Sequence, residues 1–403
     1  MIYYIGRMHY SHNMNKNKLF LWSLYNFANS IVFITFLVYF SRWLVLDGGV
    51  PSAAYNLIFV VVAVLLLLSA PNMASMADIR GNRVAWLRFA TAGVAISYMT
   101  VALLAHMGMA WPAFFVLIIA YYFFQLAYVF CDPLINDVSD KENRARASGI
   151  FQFSSNAGMA LGLAASLPLI ACGGTLAPLI PAILAFVILA MPMMIFYRED
   201  VKRTNKPAKF KIGFDVKRFK KFIMASAAAP FLIAFFFYTN ALNTITYNYP
   251  IYTYKVLGMT DELTTILLLV NMIAIAIGAL IIGFIGDRVG IRRCLFAILY
   301  LWLIIIPVVA LTYSIPFFFG VAVALGLSIG AGWAASRAYI STQLDTKNLG
   351  YGFSFYIIFD RFSSMIGPLA WAGLIAFGAP YQAAMLSMTI FILIGIMVLK
   401  YMR

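Results

Sequence analysis

The feature that most constrains this chain is a series of apolar segments, each about twenty residues long. They follow one another with few interruptions from residue 17 to residue 401. In hydrocarbon no water satisfies a backbone N–H or C=O group, so such a segment must close its own hydrogen bonds as a helix. Twelve spans are expected, at roughly 17–45, 54–76, 84–106, 111–136, 145–171, 176–197, 223–252, 262–286, 292–313, 315–341, 350–377 and 380–401. The 403 residues are 64% apolar and 11% charged, against about 45–50% and about 25% in a soluble domain. No separate soluble domain fits into that composition. The expected fold is an all-α membrane protein with twelve transmembrane helices in two six-helix bundles.

The longest connection, Arg198 to Phe222, follows the sixth span and sets the expected division. Residues 1–16 would be an N-terminal cytoplasmic tail, with Met1 or Met14 as the start. Residues 17–197 would be the first bundle, 198–222 a basic cytoplasmic linker and 223–403 the second bundle.

The net charge is +15, which on its own would suit nucleic acid. Its placement argues otherwise. Lys and Arg crowd into alternate loops, around Lys16, Arg80 to Arg88, Lys141 to Arg146, Arg198 to Lys221, Arg288 to Arg293, Arg337, Lys347 and Lys400. Only Arg42 and Lys255 fall on the opposite side, and Arg361 falls inside a span. This is the positive-inside pattern, with both termini cytoplasmic. A multi-pass, monomeric protein of a bacterial inner membrane is expected, with the lipid bilayer rather than nucleic acid as its partner.

Catalytic and metal chemistry lack their residues. Cys131, Cys172 and Cys294 lie in or beside apolar segments without metal-like spacing, and the histidines are His9, His12 and His106. There is no P-loop, so no nucleotide is expected to drive the protein. No cofactor, metal or enzymatic activity is expected.

What remains is a set of polar residues inside apolar spans, where they cost free energy unless partnered or hydrated. One signature occurs twice: Asn26-Phe27-Ala28-Asn29-Ser30-Ile31 and Asn240-Ala241-Leu242-Asn243-Thr244-Ile245. One copy per half points to a duplicated protein whose site lies between the halves. A second repeat, Asp-x-x-Gly-x-Arg, follows the second span of each half. Its copies are Asp78, Gly81 and Arg83, then Asp287, Gly290 and Arg292 with Arg288 beside the acid. Glycine permits a tight reversal, and the aspartate can accept from a helix N-terminus or pair with arginine. These residues are the candidate cytoplasmic gate.

Span four carries Tyr121, Gln125, Tyr128 and Asp132 on one stripe, and span five carries Gln152, Ser155 and Asn156. Tyr247 follows Asn240 and Asn243 in span seven. Asp132 reads either as a proton acceptor at the inner mouth of a cavity or as a helix-end acid paired with Arg144 or Arg337. Asp360 and Arg361 are adjacent in span eleven. Neighbours on a helix point about 100° apart, so the two are not expected to pair. The candidate solute site is Asn26, Asn29, Gln125, Tyr128, Asn156, Asn240, Asn243, Tyr247, Asp360 and Arg361. Asp132 and Asp360 are the candidates for coupling to an ion such as H+.

The loop repeats resemble the signature Gly-x-x-x-Asp-Arg-x-Gly-x-Arg-Arg of the major facilitator superfamily. Gly283 to Arg293 fits it, while the first copy has Ala74 for the leading glycine and Ile79 for the arginine. Several segments are similar to the vacuole effluxer-like branch of that superfamily. They are Leu24 to Ser30, Phe235 to Ile245, Ser336-Arg337, and Gly352 to Pro368 with Ser363-Ser364 and Gly367-Pro368. The resemblance implies two six-helix bundles around a central cavity, and efflux of amino acids. Where that branch has aspartates this chain has Asn26 and Asn240, which do not titrate. The expectation is a permease moving a small polar or zwitterionic solute, amino acids foremost, by alternating access. An exporter of drugs or siderophore-like compounds, or a non-transporting receptor or assembly partner, are the alternatives.

Overall fold

The computed structural model describes residues 15–199, 216–259, 261–344 and 349–401. The two candidate start methionines, most of the tail and linker residues 200–215 lie outside these.

The described residues contain helices and no strands. The first half holds α1 (Lys16–Thr35), continued through a π-helical turn at Phe36–Phe40 into α2 (Ser41–Leu46), then α3 (Ser52–Arg80) and α4 (Arg83–His106). It goes on with α5 (Ala110–Cys131), the short α6 (Ile135–Val138), α7 (Arg144–Gly173) and α8 (Leu179–Phe196). The second half holds the short α9 (Val216–Ala225), then α10 (Ala229–Leu257), α11 (Asp261–Val289), α12 (Ile291–Leu311), α13 (Ile315–Gln343), α14 (Leu349–Ala376) and α15 (Tyr381–Tyr401). Among the described residues, ten stretches are long and apolar enough to cross a membrane. The two further long helices, α10 and α14, carry the second carboxamide signature and the Asp360–Arg361 pair.

One boundary differs from expectation. Residues 223–225 do not open span seven but close the separate amphipathic helix α9, which packs Phe219 and Phe222 on Phe355 and Tyr351 of α14. The chain turns at Ser226, whose Oγ accepts from the Ala228 N–H. The span restarts at Ala229 with Pro230 in its first turn, where a missing N–H costs nothing.

Within the first half α1 packs on α7 and α8, and α4 on α5. Within the second, α10 packs on α14 and α15, and α11 and α12 on α13. The halves meet through α3 against α14 and α7 against α11, two contacts exchanged by the internal duplication. Large apolar side chains such as Phe115, Ile188, Ile304 and Leu369 are exposed, as lipid contact allows. Gly81 (φ 59°) and Gly290 (φ 96°) make the two matching reversals. These turns lie at the end of the bundle rich in arginine, called here the basic end.

Glycines also set helix separation. A Cβ on Gly278 of α11 would collide with the Leu327 carbonyl of α13, and one on Gly330 of α13 with the Ile275 carbonyl of α11. The obstacle is backbone in both cases and cannot swing aside. Gly278→Leu and Gly330→Val are therefore expected to destabilise the second half by at least about 1–3 kcal/mol. Gly320→Ala, where nothing lies within 4 Å, should be neutral. Melting temperatures in detergent check the contrast, and equal melting of all three variants would refute it.

Candidate functional site

At the basic end each loop aspartate caps a helix of the opposite half. Asp78, in the last turn of α3, accepts from the backbone N–H groups of Gly350 (2.8 Å) and Tyr351 (3.3 Å) at the start of α14. Arg83 holds the same carboxylate through Nε (2.8 Å) and Nη2 (2.7 Å). Asp287, in the last turn of α11, accepts from the N–H groups of Ala145 (3.0 Å) and Arg146 (3.3 Å) at the start of α7. The first N–H groups of a helix have no partner within it, and its dipole favours a negative charge there. The two caps therefore pull the halves together.

The arginine beside Asp287 is Arg146 of the other half, at 3.6 Å. It is not one of the expected gate arginines. Arg288 is exposed, and Arg292 lies over the Phe296 ring at 5.8 Å. The first repeat uses its own arginine and the second borrows one.

A second layer lies deeper. Arg337, counted by its charge among the loop bases, sits inside α13 and is buried. Its Nε is 3.4 Å from Asp132 Oδ1, its Nη1 donates to Gln152 Oε1 at 3.2 Å, and its guanidinium lies 4.8 Å from the Phe151 ring. All three partners belong to the first half. The Asp132 Oδ1–Arg337 Nε contact is an ion pair whose two atoms do not complete a hydrogen bond with each other. Arg144 does not join Asp132; its Nη1 donates to the Ser341 carbonyl at 3.0 Å. Ser148 donates to the Ala334 carbonyl at 2.7 Å. These bonds between halves all lie on the side of the basic end.

Towards the middle, the doubled carboxamides are bonded unequally. Asn26 donates to the Phe151 carbonyl (2.7 Å) and accepts from the Tyr128 hydroxyl (3.0 Å). Asn29 is buried with neither end of its amide in a hydrogen bond. In the other copy Asn243 donates to Ser363 (3.2 Å) and Ser364 (2.8 Å) of α14. Asn240 donates to the Phe236 carbonyl of its own helix and leaves Oδ1 unpartnered. Asn156 likewise donates to the Gln152 carbonyl one turn back. Gln125 is buried and Tyr247 is exposed. The structure thus joins Asn26 with Tyr128 and ties Asn243 to α14. Polar capacity is left over at Asn29 and Asn240.

Asp360 and Arg361 do pair, contrary to expectation: Arg361 Nη2 lies 2.9 Å from Asp360 Oδ2, with both side chains about a quarter exposed. Their Cβ bonds diverge on the helix, but the long arginine stem carries the guanidinium back to the carboxylate. Arg361 Nε remains buried without a partner.

Sequence reasoning passes over Ser148 and the start of α14 at Gly350, and gives Arg144 the wrong partner. The signal for Arg337 is present, since its position falls inside the expected span 315–341. Backbone acceptors such as the Ser341 and Ala334 carbonyls leave no trace in residue types.

A sequence model of the Major Facilitator Superfamily matches residues 21–275 and 231–403. The chain belongs to the major facilitator superfamily. It is a multi-pass membrane transporter of small molecules and not an enzyme. It is 24% identical to YxiO, an uncharacterized MFS-type transporter of Bacillus subtilis (strain 168), over 94% of this chain and 93% of that protein. Among solved structures it resembles a bacterial homologue of the iron transporter ferroportin in an outward-facing state (TM-score 0.77, 10% identity, 96% of this chain and 98% of that one). It also resembles the human organic anion transporter MFSD10 (TETRAN; TM-score 0.74, 16% identity, 96% and 100%). A variant of the E. coli fucose:proton symporter FucP has the same fold (TM-score 0.71, 13% identity, 96% and 97%).

The buried cross-half pair gives a stability test. Asp132→Asn or Arg337→Met alone leaves one buried group unbalanced and is expected to cost about 3–5 kcal/mol. The double variant should cost clearly less than the sum of the two. Additive melting shifts in purified protein would show that the two groups do not interact.

Proposed function

We propose that this transporter moves a small polar or zwitterionic solute, amino acids foremost, by alternating access, and that the basic end is its cytoplasmic end. The crossed pair of aspartate caps carries the reading. Two symmetry-related bonds that close one end of the path, each made to a helix start in the other half, are suited to breaking together when the halves rock. A static receptor has no use for such bonds. With the basic end cytoplasmic, as the distribution of Lys and Arg favours, the structure corresponds to an outward-facing state.

The solute class follows from what is left unsatisfied in the middle. Asn29 offers an amide donor and acceptor and Asn240 an acceptor, and the Asp360–Arg361 pair adds both signs of charge with no net charge. Such a set matches a solute that itself carries both signs. The resemblance to the vacuole effluxer-like branch points to the same class.

Asp132 and Asp360 are the acids placed to carry a coupling proton. They differ in one respect. The partner of Asp360 is its neighbour in the chain and travels with it. The partner of Asp132 lies in the other half, so its surroundings must change whenever the basic end opens.

Three outcomes are expected. In proteoliposomes under imposed gradients, at least one labelled amino acid should move; if none does under any gradient, the solute class is wrong. With Cys131, Cys172 and Cys294 replaced and a single cysteine at Ala338, Asp78→Asn and Asp287→Asn should each raise labelling from the basic end by about tenfold, since a lost cap is worth about 1–2 kcal/mol. Unchanged labelling would remove the gate. In the pH profile of transport, Asp132→Asn should flatten the response while Asp360→Asn preserves it, and the reverse result would move the coupling role to Asp360.

A further inference from the structure

The connection between the halves carries one described helix, α9 (Val216–Ala225). Phe219 and Phe222 stand three residues apart, so they share one face of it. Both are half-buried, while Lys217, Lys220, Lys221 and Met224 are exposed. A helix of ten residues does not hold its shape alone in water. Its place is set by what the two rings pack on.

They pack on the start of α14. The Phe219 ring lies 4.8 Å from that of Phe355. The Phe222 ring lies 5.2 Å from Tyr351, edge on, and 5.8 Å from Phe355. Tyr351 and Phe355 follow each other by one turn, with their rings 5.1 Å apart, and both are buried. Tyr351 is also one of the two residues whose N–H groups Asp78 caps; the other is Gly350, just before it. The first turn of α14 is thus held from two sides. Asp78 of the first half takes its backbone, and α9 takes its side chain. The fit at the cap is close, since a Cβ on Gly350 would come within 2.7 Å of Asp78 Oδ1. Helix starts fray, and a hydrogen bond weakens steeply once its donor turns away. A first turn that shifts therefore loosens the cap. The second cap, from Asp287, completes α7 at the other interface between the halves.

We propose, on the reading of the two caps as the gate, that Phe219 and Phe222 are positioning residues of that gate. By holding Tyr351 in place, α9 keeps the first turn of α14 presented to Asp78. The connection then does more than tether the bundles. It sets the strength of one cap and leaves the other to itself.

The test uses the full chain with Cys131, Cys172 and Cys294 replaced and a single cysteine at Ala338, labelled from the basic end. Phe222→Ala should raise the labelling rate about fivefold, as the loss of its ring contacts implies. Phe222→Tyr keeps the ring and should label like its parent. In an Asp78→Ala background, Phe222→Ala should add nothing, because the cap it supports is already gone. In an Asp287→Ala background its full effect should remain. Phe222→Leu keeps apolar volume without the ring. It should show the same contrast at lower amplitude, which keeps the test open if the alanine variant does not fold. A merely structural role would act equally in both backgrounds, and that result would overturn the proposal. If Asp78→Ala and Asp287→Ala leave labelling unchanged, the gate reading falls and the proposal with it. If they raise it and neither Phe222→Ala nor Phe222→Leu does, the role of α9 alone is overturned.

Discussion

The structure depends on how helix ends are satisfied once helix interiors have satisfied themselves. In a bilayer each long helix closes its own backbone bonds and has little reason to prefer one neighbour over another. The free N–H groups at helix starts do discriminate. In this transporter two of those starts, α7 and α14, are completed by carboxylates from the opposite half. The caps fix which helices face each other, α3 with α14 and α7 with α11, and thereby the relative placement of the bundles. Arg337, Gln152 and Asp132 then have a closed, water-poor layer in which to meet.

Most of the architecture is legible without coordinates. The run lengths of apolar residues specify the number and approximate ends of the helices, because lipid thickness and helix rise leave little freedom. The internal repeats announce the duplication. What residue types do not show are bonds to backbone and the reach of long side chains. Gly350 carries no chemistry in its side chain, yet its N–H is half of a cap. The bearing of its Cβ turns Arg361 away from Asp360, whereas its flexible stem brings the guanidinium back. Arg337 joins the loop bases only if its charge is weighed above its position within a span.

Of the candidate solute residues, several use their polar atoms within the protein. Asn26, Asn156 and Asn243 tie helices together or bond back to their own turn. Carboxamides in apolar spans thus serve two purposes that residue type does not separate. Which purpose applies follows from whether a carbonyl or hydroxyl happens to lie within reach.

The doubled signature has a consequence for how a solute is held. The two copies share their residues but not their bonds. In the first copy the earlier asparagine is engaged and the later one free. In the second copy the later one is engaged and the earlier one retains a bare carbonyl oxygen. One turn of helix therefore separates the free groups from the positions that strict twofold symmetry would give them. If the proposed solute lies between the bundles and reaches these buried groups, it would meet a donor and acceptor on one wall and an acceptor alone on the other. Such a pair of walls would be polar in the vector sense and would distinguish the two ends of a guest, although the repeated segments that form them share their residues.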